Sequence, residues 1–436
     1  MMRFYFPDSQ DQVDPNFDFV REEHLPHRVR QRDDRYAHEV LQRPAYEGML
    51  VSKAIVDGSA KGAGKYTGAQ RRRLYDLGAR QFFRLDSGPN PLHSLGDCGA
   101  FAYIEEVEPP ITVDDAIDFY DGCEFDAGIS VDHLVPAFRS ERTPELFVTD
   151  ELLEEQRVWQ RRVDITLENA ATFLQRHRER NCSFEPVGAA QGWSPSSYAK
   201  SVEALQQMGY TRIALGGMVP MKTPQIIESL EAIDDVRSPD TRLHLLGVTR
   251  VSELGTFQAY GVTSFDSTSP FRQSFMDDAD NYYAPDGDHY VAVRVPPIDG
   301  NARLKSRILS GQVDQDAART GERHCLQLLR AYGSHEVELD EVLHALRSYH
   351  LVVGEPDRKT GSVRDRTAEY ARTLHARPWE RCECGVCGAV GIEVVLFRGS
   401  ERNKRRGFHN LAVFANELRD RLIQTAHTSN SPARTA

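Results

Sequence analysis

The sequence predicts an α/β chain: a (β/α)8 TIM-like barrel, then a helical insertion and a small cysteine-bearing unit. Three observations carry this. Short apolar runs alternate with longer amphipathic segments. Distinctive polar or glycine residues sit at the C-terminal ends of those runs. Three cysteines are packed within six residues near the end of the chain.

The clearest apolar runs are 124–130, 184–190, 211–215, 242–247 and 261–266. Between them lie helix-like segments. Thr149-Asp150 opens a long one carrying Leu152, Val163, Leu167 and Phe173; Ser194-Pro195 and Thr223-Pro224 open two more. Strand, helix, strand at regular spacing implies right-handed βαβ units and a parallel sheet. Repeated units of this length favour an eight-fold barrel over an open sheet. Asp132 follows the first run, Gln191-Gly192 the second, Gly216-Gly217 the third; Gly247 closes the fourth and Asp266 the fifth. In a barrel these ends share the face on which active sites are built.

Residues 1–45 are polar and weakly periodic and read as an N-terminal extension. The barrel is assigned to 46–297, a mainly helical insertion to 298–378, and the cysteine unit with its closing helix to 379–424. A disordered tail is expected over 425–436.

The chain has 436 residues, 40% hydrophobic and 27% charged, enough for a substantial core. The formal net charge is −12, which argues mildly against nonspecific coating of nucleic acid. No apolar stretch reaches the ~18 residues of a membrane span. Acidic residues occupy the N-terminus where a signal peptide would be apolar, so a cytoplasmic chain is expected. Seven cysteines, odd in number and partly clustered, do not form a disulfide framework.

Cys382-x-Cys384-x-x-Cys387 supplies three soft ligands, and His409 lies 22 residues on. Three thiolates and one imidazole complete a tetrahedral Zn2+ site with no open position, hence a structural one. His375 is the alternative fourth ligand. The glycine-rich segment 58–66 resembles a phosphate-binding loop, but Tyr66 stands where that loop needs a hydroxyl on magnesium, so it reads as a surface loop. Asp132-His133 is not read as a dyad, because adjacent strand residues face opposite ways.

Asp97, Asp132 and Asp266 each stand beside small or apolar residues. Buried carboxylates need partners or a function. Two at a glycosidic centre suffice for double displacement, one attacking the anomeric carbon and one shuttling the proton. A third, with an amide side chain, could read a purine edge.

GDCGAF at 96–101, EFDAGISVDH at 124–133, AAQGW at 189–193, ALGGM at 214–218, LLGVT at 245–249, GVTSFDSTSPFR at 261–272 and the CECGVC and HNLAVFANEL segments occur in the order in which the tRNA-guanine transglycosylase superfamily carries its motifs. The chain resembles that superfamily. The resemblance implies base exchange in which Asp266 is the nucleophile and Asp97 the general acid and base. Asp132 and Gln191 would bind the purine edge and Gly217 would supply backbone contacts. Phe101 would stack on the base and Leu246 would pack beneath it. The long insertion, the GDCGAF and DAGISVDHLV variants and the lack of an RNA-binding domain after the cysteine unit resemble the DpdA-type branch. Those proteins exchange guanine in DNA for 7-cyano-7-deazaguanine. The implied partners are DNA and a 7-deazaguanine base, with an ATPase partner protein also considered. Two alternatives stand beside this: the same exchange on tRNA, and a non-catalytic nucleic-acid-binding subunit. Phosphate contacts are expected from two basic segments. One is 61–80, with Lys61, Lys65, Arg71, Arg72, Arg73 and Arg80; the other is 398–406, with Arg398, Arg402, Lys404, Arg405 and Arg406.

Overall fold

The computed structural model describes residues 2–59, 62–88, 90–142, 149–354 and 362–429. Eight parallel strands close into a barrel in chain order: β1 (Arg3–Pro7), β2 (Gly48–Ser52), β3 (His93–Asp97), β4 (Ala127–Ile129), β5 (Glu185–Ala190), β6 (Arg212–Leu215), β7 (Arg242–Leu245) and β8 (Val262–Asp266). β1 closes the ring, with Tyr5 opposite Asp266 on one side and Gly48 on the other. The residues before 46, expected as an extension, therefore include a barrel strand. RFYFP was passed over because it is short, lies at the N-terminus and is followed by some forty polar residues.

The chain divides into two compact units. The first comprises residues up to Gln10, Tyr46–Thr268 and the chain from Glu417; the second comprises Asp11–Ala45 and Ser269–Asn416. The division differs from the expected boundaries: the barrel unit ends its central run at Thr268, and the insertion and the cysteine segment share one unit. Helices Ala302–Leu309, Gln315–Gly333, Leu339–Val353 and Thr367–Ala376 lie within 298–378. The last helix runs Gly399–Ser429, so 425–429 is helical; 430–436 lies outside the described residues. No described helix is long and apolar enough to cross a membrane.

Inside the barrel, Tyr5, Leu50, Leu95, Ala127, Ile129, Val187, Ala189 and Ala214 form a buried cluster, with Leu246 packed against it. The period-2 alternation of each strand sends these inward. The helices cover the outer face. Asp150–Glu179 starts at Thr149, whose hydroxyl accepts from the Leu152 amide at 3.2 Å. Pro195–Met208 starts at Ser194, as its Ser-Pro pair predicts. In the third helix Lys222 is the cap and Thr223-Pro224 fill the first turn.

Candidate active site

Every barrel residue singled out in the sequence sits at a strand C-terminus or just beyond it. Asp97 ends β3, Asp266 ends β8, Gln191 follows β5, Gly216-Gly217 follow β6, Leu246 follows β7 and Asp132 stands three residues beyond β4. Parallel strands put all of these at one mouth.

Asp132 is the most constrained carboxylate. It is buried; its Oδ1 accepts from the Cys98 thiol at 3.0 Å and its Oδ2 from Gln191 Nε2 at 2.6 Å. The Tyr103 hydroxyl lies 3.0 Å from Cys98 Sγ and 3.1 Å from the Asp132 carbonyl oxygen. The Gln191 amide is fixed in turn, because its Oε1 accepts from the Val135 N–H at 3.2 Å. A Cβ at Gly216 would lie 2.2 Å from Gln191 Nε2, so this contact requires glycine. Tyr198 donates to the Gly216 carbonyl at 2.8 Å and holds the following Gly217 turn. Burial pushes the Asp132 carboxyl above its ordinary range. It also raises the Cys98 thiol, reinforced by the charges of Asp132 and Asp97, so Cys98 stays a protonated donor.

Asp97 is half-buried beside this network. One ligand atom each of Asp97, Cys98 and Asp132 lie within 4.8 Å of one another. Burial, then the charges of Asp132 and Asp266, push the Asp97 carboxyl up to about 7, although the Gly99 and Cys98 backbone amides favour its charged form. Gly99 has φ +88°, and a Cβ there would meet Ser52 Oγ at 2.2 Å. The tight turn that aims Asp97 therefore admits only glycine at this step.

Asp266 is held differently. Its Oδ1 accepts from the Gly247 N–H at 3.0 Å and from His244 Nε2 at 3.2 Å. No described residue hydrogen-bonds Oδ2. His244 is fully buried, its Nδ1 is 2.9 Å from Ser264 Oγ, and Tyr5 packs edge-on against its ring. Burial pushes the His244 pKa down, so the ring is neutral and carries its donor proton on Nε2. Asp266 is thereby oriented by two donors on one oxygen, while the other oxygen remains available.

The sequence had not shown His244, Cys98 or Tyr103 as members of this group. Each lies close to a named motif, but only the barrel register turns it toward an aspartate. His133 turns away, as expected: its Nε2 is 3.0 Å from the Glu106 carbonyl oxygen and its N–H donates to Thr166 Oγ1. Phe101 lies on a 3-10 turn and is 59% exposed.

In the second unit, Cys382, Cys384, Cys387 and His409 converge, with all four donor atoms within 4.8 Å of one another. His409 Nδ1 lies 3.5, 3.4 and 3.3 Å from the three sulfurs in order. Tetrahedral zinc–sulfur and zinc–nitrogen bonds place S and N about 3.5 Å apart. His409 Nε2 donates to the Tyr283 carbonyl at 2.6 Å, which leaves Nδ1 as the ligand atom. The donor set fits a metal ion; His375 is not among these four.

The basic segment 398–406 is not a surface. Arg398, Arg402, Arg405 and Arg406 are all buried. Arg398 pairs with Glu22 and Glu322, Arg402 with Glu22 and Glu393, and Arg405 with Glu401. Arg406 donates to the Ser274, Val394 and Leu396 carbonyls. Residues 402, 405, 406 and 409 fall on one stripe of the helix Gly399–Ser429, with Arg398 just before it, and that stripe faces inward. The expectation of a phosphate-binding run there is overturned, because its arginines are buried and held by acids and carbonyls, Glu22 and Glu322 coming from remote parts of the sequence. In the other segment Arg80 pairs with Asp86 and Asp126, and Arg72 faces Asp76 at 3.7 Å. Lys61 lies outside the described residues.

A closed eight-stranded α/β barrel with three aspartates at its C-terminal mouth has the architecture of a barrel enzyme. No family model matches the chain. It is 48% identical over 418 residues to a DNA-guanine transglycosylase of Salmonella montevideo, a match that covers 96% of each chain. The chain belongs to the DNA-guanine transglycosylase family.

Proposed function

We propose that this protein exchanges guanine in DNA for a 7-deazaguanine base, 7-cyano-7-deazaguanine in particular, through a covalent aspartyl-nucleoside intermediate. The observation that carries the reading is the division of labour between Asp266 and Asp97 at one barrel mouth. Asp266 is oriented by two hydrogen-bond partners on Oδ1, and no described residue hydrogen-bonds Oδ2. Asp97 is poised to hold a proton near neutral pH.

In the first half-reaction Asp266 Oδ2 bonds to C1′ of the target deoxyguanosine and the C1′–N9 bond breaks. The departing guanine takes the bonding pair and the proton of Asp97. In the second half the incoming base gives its N9 proton to the Asp97 carboxylate and bonds C1′, and Asp266 is released. Asp132 and Gln191 accept from and donate to the purine edge, the Gly217 backbone adds a contact, Leu246 supports the base from below and Phe101 stacks on it. The target must leave the helix first, which costs a few kcal/mol. Assistance from an ATPase partner protein is part of the reading, as is a cytoplasmic place of action. Zn2+ held by Cys382, Cys384, Cys387 and His409 would staple the second unit and supply no chemistry to the exchange.

The test incubates purified protein with radiolabelled 7-cyano-7-deazaguanine and either DNA or tRNA. Label entering DNA is expected, together with a denaturation-resistant protein–DNA adduct that Asp266→Asn lacks while its metal content is unchanged. Label entering tRNA alone refutes the choice of polymer. An undiminished adduct in Asp266→Asn refutes the nucleophile.

A further inference from the structure

The second unit contains a cavity of about 460 Å3 that shares no residue with the aspartate group. Arg294, Arg303, Arg307, Arg364 and Arg366 line it, with Phe397 on one wall. They come from separate stretches: the short strand Val293–Arg294, the helix Ala302–Leu309 and the segment before the helix Thr367–Ala376. A charge run along one helix is ordinarily a solvated face. Convergence of separate stretches on one concavity is not explained that way.

Among the described residues, two carboxylates serve these five guanidinium groups. Asp278 pairs with Arg294 and Arg366, and Glu369 pairs with Arg364 and Arg366. Arg307 donates to the Val353 carbonyl at 2.6 Å. Arg303 is exposed and has no acidic partner among the described residues. Arg398 also borders the cavity, but it is spent on Glu22 and Glu322. No described carboxylate lines the cavity. Positive charge there is in excess, and planar guanidinium forks match phosphate oxygens. A magnesium-bound nucleotide would bring a cation that wants carboxylate ligands, and the described lining offers none. The chemistry favours a phosphodiester without a metal.

We propose that this cavity binds a backbone phosphate of the DNA strand on which the enzyme acts; the identity of the strand rests on the function proposed above. Each phosphate so neutralised releases counterions and steepens the salt dependence of binding by about one unit in log Kd against log salt.

The experiment measures Kd for a fluorescein-labelled DNA duplex across a salt series, using the full chain. Arg303→Glu is compared with wild type and with Arg157→Glu, an equal charge change at an exposed position of the helix Asp150–Glu179 in the barrel unit, outside both basic segments. Arg303→Glu is expected to weaken binding about tenfold at low salt and to lower the slope by about one. Arg157→Glu is expected to change the slope less, and the Arg303→Glu melting temperature should stay that of wild type. If wild type binds DNA and Arg303→Glu matches it in Kd and slope, the cavity proposal falls and the DNA reading stands. An equal loss in both variants reduces the effect to overall charge and also overturns the proposal. If wild type binds tRNA but not DNA, with the same loss in Arg303→Glu, the phosphodiester site holds and the DNA reading falls. Binding of magnesium-free ATP that Arg303→Glu abolishes, with DNA binding untouched, reassigns the cavity to a free nucleotide and overturns the proposal.

Discussion

The Asp97 environment makes a stability prediction that is separable from catalysis. Its carboxyl is raised from 3.8 to about 7. The folded state therefore binds a proton there that the unfolded chain has already lost over the window from about pH 4 to 7. Stability contributed by the neutral acid is fully present below pH 4 and is lost as pH rises through 7. A shift of roughly three units is worth about 4 kcal/mol at most. Asp97→Asn keeps the shape and removes the charge. It should be stabilising by only about 1 kcal/mol at pH 4.5 and by up to about 4 kcal/mol at pH 8.5, while base exchange is lost. Thermal melting of wild type and Asp97→Asn at both pH values is the assay. The readout is the difference between the two variants, so general pH effects cancel. An equal shift in melting temperature at pH 4.5 and 8.5 refutes the reasoning, because it removes the charge on Asp97 as the cause. The same raised carboxyl predicts an acidic-side form of the enzyme able to protonate the leaving base and an alkaline-side form able to accept a proton from the incoming one.

Three further outcomes follow from named contacts. His244→Phe keeps the buried ring but deletes one of two donors to Asp266 Oδ1. Adduct formation should slow by about ten- to a hundredfold with Km for the free base unchanged, and single-turnover kinetics would show it. Gly216→Ala drives a methyl into Gln191 Nε2 and should break its bond to Asp132. The Km for the incoming base should rise about tenfold, and an unchanged Km would argue that Gln191 does not position Asp132. Cys384→Ala should reduce bound zinc from about one ion per chain to nearly none by elemental analysis and should lower the melting temperature.

The strand-end polar residues were legible because a parallel barrel imposes one rule: whatever follows each apolar run stands at the same mouth. Asp132, Gln191, Gly216 and Asp266 all obeyed it. The three cysteines were legible as a cluster because their spacing is local; His409, 22 residues on and inside the last helix, joins them only through the fold. Three strands were harder. β1, β2 and β3 are five residues each, and the long polar stretch between β1 and β2 hides the repeat. The missing members of the site were hidden for a related reason. Cys98 and Tyr103 act on Asp132 from the preceding βα loop, and His244 reaches Asp266 across adjacent strands. Each is a contact between neighbours in the ring, which sequence order alone does not pair.

The arginines show the same limit in electrostatic form. A run of five basic residues at 398–406 has one acid within it, so it looks uncompensated in one dimension. Folding brings Glu22 and Glu322 to it from remote positions and Glu393 from just upstream, and its arginines become buried scaffolding in the unit that holds the three cysteines and His409. The reverse holds at the cavity. Arg294, Arg303, Arg307, Arg364 and Arg366 are scattered among acids in sequence, yet among the described residues only Asp278 and Glu369 pair with them in space. A burial cost decides the difference. Charges removed from water must be neutralised, so clustered arginines on an inward helical stripe require acids. Guanidinium groups around a solvated concavity carry no such requirement and can keep an excess for a ligand. A net charge of −12 is therefore compatible with a polyanionic substrate, because what that substrate meets is the local excess left by folding.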